Sequence, residues 1–338
     1  MKPDQAILDV RDLRTEFRIG KQWHAALRGV SLSVARNETV ALVGESGSGK
    51  SVTALSIMRL LPVASARHGG GNVLLEGQDL LALRENQMSK VRGNDIAMIF
   101  QEPMTSLNPT MTVGDQIAEA VGLHRRVSRT EARALALGTL REVGIPAAEN
   151  RLNDYPYQFS GGMRQRVMIA MALACKPKVL LADEPTTALD VTIQAQILTL
   201  LAELQTTHGM SILFITHNLG VVAQIADRVA VMYAGEIVEL ADVGSLFARP
   251  SHPYTRALLR AMPRVDVDSG NLQAIPGHVP PINAMPSGCA YASRCSMREP
   301  QCEREHPALL TISEGDSHHQ VRCPVQASLR RQPMGMTA

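Results

Sequence analysis

Eight residues, Gly44-Glu45-Ser46-Gly47-Ser48-Gly49-Lys50-Ser51, constrain this chain more than any other stretch. They follow a short apolar, β-branched run, Thr39-Val40-Ala41-Leu42-Val43. They precede Ser51 to Leu61, where apolar residues recur at helical spacing until Pro62. A strand that breaks through a glycine-rich loop into a helix is the phosphate-binding loop pattern, and every fixed position matches. Glycines let successive backbone N–H groups turn inward around an anion, and the helix N-terminus adds its positive end. In that arrangement Lys50 reaches the β- and γ-phosphates of a bound nucleotide, and the Ser51 hydroxyl coordinates Mg²⁺. A chance glycine-rich turn would account for the loop but not for the strand and helix beside it.

A second segment, Val179-Leu180-Leu181-Ala182-Asp183-Glu184-Pro185, reads as a buried strand ending in two carboxylates. Ligands of parallel sheets sit at that carboxyl edge. Asp183 is the expected Mg²⁺ partner, directly or through water, and Glu184 the group that polarises water for attack on the γ-phosphate. Strands at Ser211 to Thr216 and Arg228 to Tyr233 alternate with helices at Val191 to Thr206 and Leu219 to Ile225. This rhythm predicts an α/β fold with a mostly parallel sheet covered on both faces. Strand character also marks Ile7 to Val10, Val30 to Val34, Asn72 to Leu75 and Ile96 to Phe100, with Gly69-Gly70-Gly71 read as a flexible turn. Charges alternating with Ala and Leu over Thr130 to Val143 describe a helical insert. Beyond Pro250 proline becomes frequent, and the order reads as irregular.

Composition removes several classes. A net charge of +2 over 338 residues offers no basic field for nucleic acid. No apolar run approaches the length of a membrane span, since Val167 to Cys175 is flanked by Arg166 and Lys176. The opening Met-Lys-Pro-Asp-Gln lacks an apolar signal region, so the expected compartment is the cytoplasm. Four of the five cysteines, Cys289, Cys295, Cys302 and Cys323, fall near the C-terminus. Under reducing conditions such clustering reads as metal ligation before disulfides, with zinc, an iron–sulfur cluster or plain thiols all open. His306, His318 and His319 lie close in sequence and leave a mixed ligand set open. Cys175 reads as a small core residue.

Phe159-Ser160-Gly161-Gly162-Met163-Arg164-Gln165-Arg166, just upstream of the acidic strand, resembles the signature motif of ABC ATPases. Met163 stands where many members carry Gln, a departure common in the peptide-importer branch. The resemblance implies a P-loop cassette with a RecA-like core, an antiparallel β subdomain, a helical subdomain insert and a small C-terminal extension. The implied boundaries are 1–101 with 160–249 for the nucleotide-binding core, 102–159 for the insert and 250–338 for the extension. It further implies that Ser160, Gly161 and Gly162 close over ATP held by the loop of a second subunit in a head-to-tail dimer. Gln101 resembles the Q-loop residue that meets Mg²⁺ and water. Asp190, in Ala188-Leu189-Asp190, resembles the D-loop, and His217 the switch histidine at the γ-phosphate. Phe17 is the candidate for stacking on adenine, with Trp23 its rival.

The stretches Gln101 to Pro109 and Ala182 to Gln196 narrow the resemblance to the oligopeptide/dipeptide importer branch, nearest to the dipeptide-permease ATPases. His252-Pro253-Tyr254-Thr255, followed by Leu258-Leu259 and Pro263, points the same way. Importers of nickel, glutathione and opines share much of this pattern. The branch implies a peripheral ATPase on the cytoplasmic face of the bacterial inner membrane. Its implied partners are a second ATPase (a paralogue), two transmembrane permease subunits and, indirectly, an extracytoplasmic binding protein. It also implies a [4Fe–4S] cluster on the four C-terminal cysteines, with zinc as the alternative. A DNA-repair or ribosomal ABC ATPase would show paired cassettes, coiled coils or basic linkers, none of which is visible.

Overall fold

A computed structural model describes residues 6–187, 189–262, 275–312 and 319–326. Ala188, Pro263 and His318, each part of an expectation above, lie outside the described residues. In chain order the elements begin with β1 (Ala6–Ile19), β2 (Gln22–Ala35), β3 (Thr39–Val43), α1 (Lys50–Ile57), β4 (Ala66–Leu75), β5 (Gln78–Asp79), α2 (Glu85–Val91) and β6 (Ile96–Ile99). Then come α3 (Pro103–Ser106), α4 (Val113–His124), α5 (Arg129–Glu142), α6 (Ala148–Arg151), α7 (Gly161–Leu173), β7 (Val179–Asp183), α8 (Val191–His208) and β8 (Ser211–Thr216). The chain continues through α9 (Leu219–Ile225), β9 (Arg228–Tyr233), β10 (Glu236–Asp242), α10 (Val243–Ala248), α11 (Pro253–Arg260), α12 (Pro300–Arg304), β11 (Leu310–Thr311) and β12 (Gln320–Val321).

The chain divides into two compact units, one from Met1–Leu8, Val34–Glu38 and Leu74–Ile215, the other from Asp9–Ser33, Thr39–Val73 and Thr216–Ala338. In the first, β6, β7 and β8 run parallel in neighbouring register. Every residue of β7 and β8 is buried, which is why these runs read as continuously apolar and not alternating. Between β6 and α7 the described residues form helices and one 3₁₀ turn, without a strand. Ser128 caps α5 through a reciprocal box with Glu131, and α8 ends on Gly209 at φ +63, a left-handed stop that glycine adopts without Cβ strain.

In the second unit β3 lies parallel to β9, and β10 and β12 extend the sheet antiparallel. Its core joins Val43, Val229, Val231 and Tyr233 of these strands to Tyr254 and Tyr291 of the C-terminal segment. Strands β2, β1 and β4 lie in that order in a separate sheet.

The α/β expectation holds, and β3, β8, α9 and β9 fall on the predicted bounds. Three local readings do not. Gly69-Gly70-Gly71 is no turn; it lies inside β4. Gly71, at φ +84, brings its backbone so close to β1 that a Cβ would meet the Asp12 carbonyl oxygen at 2.3 Å. The first helix stops at Ile57 because Arg59 turns to φ 53, before Pro62 is reached. The described residues after Pro250 also carry α11, α12, β11 and β12, where the prolines suggest irregular chain. The seven-residue strand β10, like the two-residue β5, β11 and β12, has no counterpart in the sequence reading. Its buried carboxylates, Glu236 and Glu239, and a register shift between Ile237 and Glu239 hide any alternation.

Candidate functional site

The phosphate loop belongs to the second unit. Gly44 leaves β3 at φ +157, and a Cβ there would stand 2.2 Å from the Met232 carbonyl oxygen of β9. Only glycine permits that approach, and it turns the loop across the end of the sheet. Gly47 and Gly49 also take positive φ, and Gly49 caps α1. The Gly235 N–H donates to the Ser48 carbonyl at 2.8 Å. Lys50 is buried at the start of α1, and its ammonium curls over the loop, donating to the carbonyls of Gly44 at 2.8 Å and Glu45 at 3.1 Å. The Ser48 hydroxyl is buried without a hydrogen-bond partner among the described residues. A glycine cradle, a lysine over its mouth and an orphaned hydroxyl inside it suit the phosphates of a nucleotide. Ser51 follows Lys50 in the first turn of α1.

Tyr254 and Arg294 hold the loop from the far end of the chain, and the sequence reading gave neither a role in it. The Glu45 N–H donates to the Tyr254 hydroxyl at 2.8 Å. Arg294 forks onto the Glu45 carboxylate at 2.9 and 3.1 Å. Tyr254 was visible only as part of a family motif. Arg294 sits 249 residues from its partner, beyond the reach of any local pattern.

The acidic pair belongs to the first unit. Asp183 ends β7 and is buried. Glu184 then turns into the left-handed region at φ 47, at a cost on the order of 1–2 kcal/mol for a residue with a Cβ. Its own N–H donates to the Ile215 carbonyl at 2.9 Å, which fixes the turn. The Glu184 carboxylate accepts from Gln101 Nε2 at 3.3 Å and from the Thr187 hydroxyl at 2.8 Å. The predicted Gln101 and Glu184 therefore meet, and Thr187 is an additional anchor that the reading passed over.

The signature segment lies in the same unit. Ser160 caps α7 by accepting from the Met163 N–H at 3.4 Å. Ser160 and Gly161 are exposed, so this helix end presents its N–H groups outward. Gly162 is required by packing, since a Cβ would sit 2.9 Å from Ile193 Cγ2. Asp190 has a structural task here as the cap of α8, accepting from the Ile193 N–H at 2.9 Å. His217 is exposed just after β8. Of the two aromatic candidates, Phe17 is half-buried on β1. The Trp23 ring already carries the Arg67 guanidinium at 4.3 Å.

All four C-terminal cysteines are free thiols. Burial pushes the Cys289 thiol up to about 11, and the charges of Cys323, Cys302 and Cys295 add to the effect, so the four share one neighbourhood. Among the described residues no three His, Cys, Asp or Glu side chains converge closely enough to hold a metal ion. That arrangement supports neither zinc nor an iron–sulfur cluster on these four residues. His306 is engaged elsewhere, 2.5 Å from the Glu236 carboxylate, and His319 lies 2.8 Å from Glu239; both serve β10. Cys175 is buried just past α7, as its apolar surroundings imply.

A family profile described as "ABC transporter" matches residues 27–187. A probable peptide ABC transporter ATP-binding protein of Sinorhizobium fredii is 56% identical over 91% of this chain and 92% of its own length. The chain belongs to the ABC transporter ATP-binding proteins. It is an ATPase cassette of that family. Residues 238–302 match a second profile, "Oligopeptide/dipeptide transporter, C-terminal region". A dipeptide transport ATP-binding protein of Bacillus subtilis is 50% identical over 95% of each chain. A solved ATP-binding cassette, a dimer in a post-hydrolysis state with ADP and phosphate, superposes with a TM-score of 0.63. It is 29% identical and covers 70% of this cassette and 98% of its own chain. No helix among the described residues is long and apolar enough to cross a membrane.

Proposed function

We propose that this cassette powers import of di- or oligopeptides, as a peripheral subunit on the cytoplasmic face of a bacterial inner membrane. The C-terminal match at residues 238–302 carries this reading, because the matching profile is described for oligopeptide and dipeptide transporters. The close relatives' names agree with it. Partners of this assembly are a second, paralogous ATPase, two permease subunits and an extracytoplasmic binding protein. The dimeric state of the structural neighbour supports the ATPase pairing. Within the chain the working divisions are 1–101 with 160–249 for the core, 102–159 for the helical insert and 250–338 for the extension.

Gly44 to Ser51 hold the triphosphate, with Lys50 on the β- and γ-phosphates. Ser51, Gln101 and Asp183 are the residues for Mg²⁺, which when bound screens the charge of the phosphate oxygens. Glu184, steadied by Gln101 and Thr187, takes a proton from the attacking water, and His217 contacts the γ-phosphate. Phe17 stacks on adenine. Ser160, Gly161 and Gly162, with Asp190 nearby, serve the nucleotide of the opposing subunit. Cys289, Cys295, Cys302 and Cys323 carry a [4Fe–4S] cluster; the closeness of Cys289 to Cys302, whose carbonyl accepts the Cys289 N–H at 2.7 Å, supports this.

The test is ATP turnover by the tagged chain copurified with its membrane subunits. Peptides delivered by their binding protein should stimulate it, whereas nickel chelates and glutathione should not. Stimulation by nickel or glutathione alone would overturn the peptide assignment, and copurification with DNA or ribosomes in place of permeases would overturn transport. Glu184→Gln should lower turnover by roughly 10²–10⁴-fold while ATP still binds; unchanged turnover would remove Glu184 from the mechanism.

A further inference from the structure

We propose that Arg294, in the C-terminal segment, is a positioning residue of the nucleotide site. It neutralises and orients Glu45, so that the phosphate loop receives a triphosphate without a competing carboxylate charge. The proposal rests on the assignment of Gly44 to Ser51 as the phosphate holder.

A guanidinium has five N–H donors in a rigid plane, and Arg294 uses a bond for each. Nε donates to the Pro276 carbonyl at 2.8 Å. One terminal nitrogen serves Glu45 Oε2 at 2.9 Å and the Tyr233 hydroxyl at 3.3 Å. The other serves Glu45 Oε1 at 3.1 Å and the Ile275 carbonyl at 3.3 Å. The Arg294 side chain is only 4% exposed. A cation withdrawn this far from water and paired on every donor is held in one geometry, unlike a surface ion pair.

Its target explains the arrangement. Glu45 is the second residue of the phosphate loop, and its backbone N–H is fixed by the Tyr254 hydroxyl. The C-terminal segment therefore grips Glu45 by both its backbone and its side chain. Tyr233, Tyr254 and Tyr291 pack edge to face or tilted, with ring centroids 4.7 to 5.3 Å apart, and Arg294 lies over the rings of Tyr233 and Tyr291. This aromatic floor aims the guanidinium at the loop. An uncompensated carboxylate there would repel a ligand carrying three or four negative charges, and its partial burial would weaken the screening by water.

The experiment is MgATP binding by the full-length chain, measured by calorimetric titration. Arg294→Gln should raise Kd about tenfold, and Arg294→Lys, which keeps the charge but not the fork, about threefold. Glu45→Gln/Arg294→Gln removes both charges and should return Kd to within about threefold of wild type. A merely structural arginine would show no such recovery. The proposal fails if Arg294→Gln binds as wild type does, if the lysine variant is as weak as the glutamine variant, or if the double variant is no tighter than Arg294→Gln alone. Lys50→Ala separates the two levels of the argument. If it binds MgATP as tightly as wild type, the phosphate-loop assignment itself falls, whatever Arg294 does.

Discussion

His252 should make this protein sensitive to mild acid. The residue is 1% exposed, with Nδ1 accepting the Tyr254 N–H at 3.1 Å to cap α11. Burial is the main force lowering its pKa from 6.5 to about 4; Glu239 and a hydrogen bond to the Arg322 backbone pull the other way, and the charges of Arg322 and Arg256 add to the lowering. Between those values the unfolded chain binds a proton at His252 and the folded chain does not, so stability falls as pH falls through this window. The interval from 6.5 to about 4, at about 1.4 kcal/mol per pH unit, amounts to roughly 3 kcal/mol. His252→Asn keeps a side chain suited to the cap but cannot titrate. Urea unfolding followed by circular dichroism, at steps from pH 7 to 4, gives the difference between the two proteins. Wild type should lose about 3 kcal/mol relative to His252→Asn across that range. Glu239 is common to both and largely cancels. Parallel stability curves would refute the argument.

Gly71→Ala should destabilise the chain by about 3 kcal/mol or more, because its Cβ would drive into the Asp12 and Arg11 carbonyls at a strained positive φ; a melting temperature close to wild type would contradict the close strand approach. Anaerobically purified protein should contain iron and acid-labile sulfide, and lose both together when Cys289 and Cys302 are changed to serine. Zinc without sulfide would replace the cluster by a single-ion site, and neither metal would leave four structural thiols.

What was legible in the sequence followed the range of the physics that placed it. The phosphate loop, the acidic strand and the signature are local patterns, in which neighbouring residues together specify a strand, a turn and a helix start. The place of Glu184 at the end of its strand is therefore readable from the chain alone, although its left-handed backbone is not. Partnerships across long separations left no such mark. Arg294 with Glu45, Tyr254 with the Glu45 N–H, and His319 with Glu239 all join segments far apart in sequence, and each partner alone looks like an ordinary polar residue. Glycine caused the opposite error: Gly69 to Gly71 suggested flexibility, whereas Gly71 serves a crowded contact between backbones. In β10 two buried carboxylates carry partners that let them sit where apolar residues were expected, so the strand was passed over.

The tyrosine floor beneath Arg294 also bears on where this protein could be shortened. Family likeness suggests a seam near residue 250, with a catalytic body before it and an accessory after it. The buried surface crosses that seam, because Tyr233 on β9 shares one cluster with Tyr254 and Tyr291. Ending the chain at the apparent seam would strip one wall from the core and leave the second phosphate-loop residue facing water. The extension thus forms part of the body it seems to follow, and a chain without it would need another partner for Glu45.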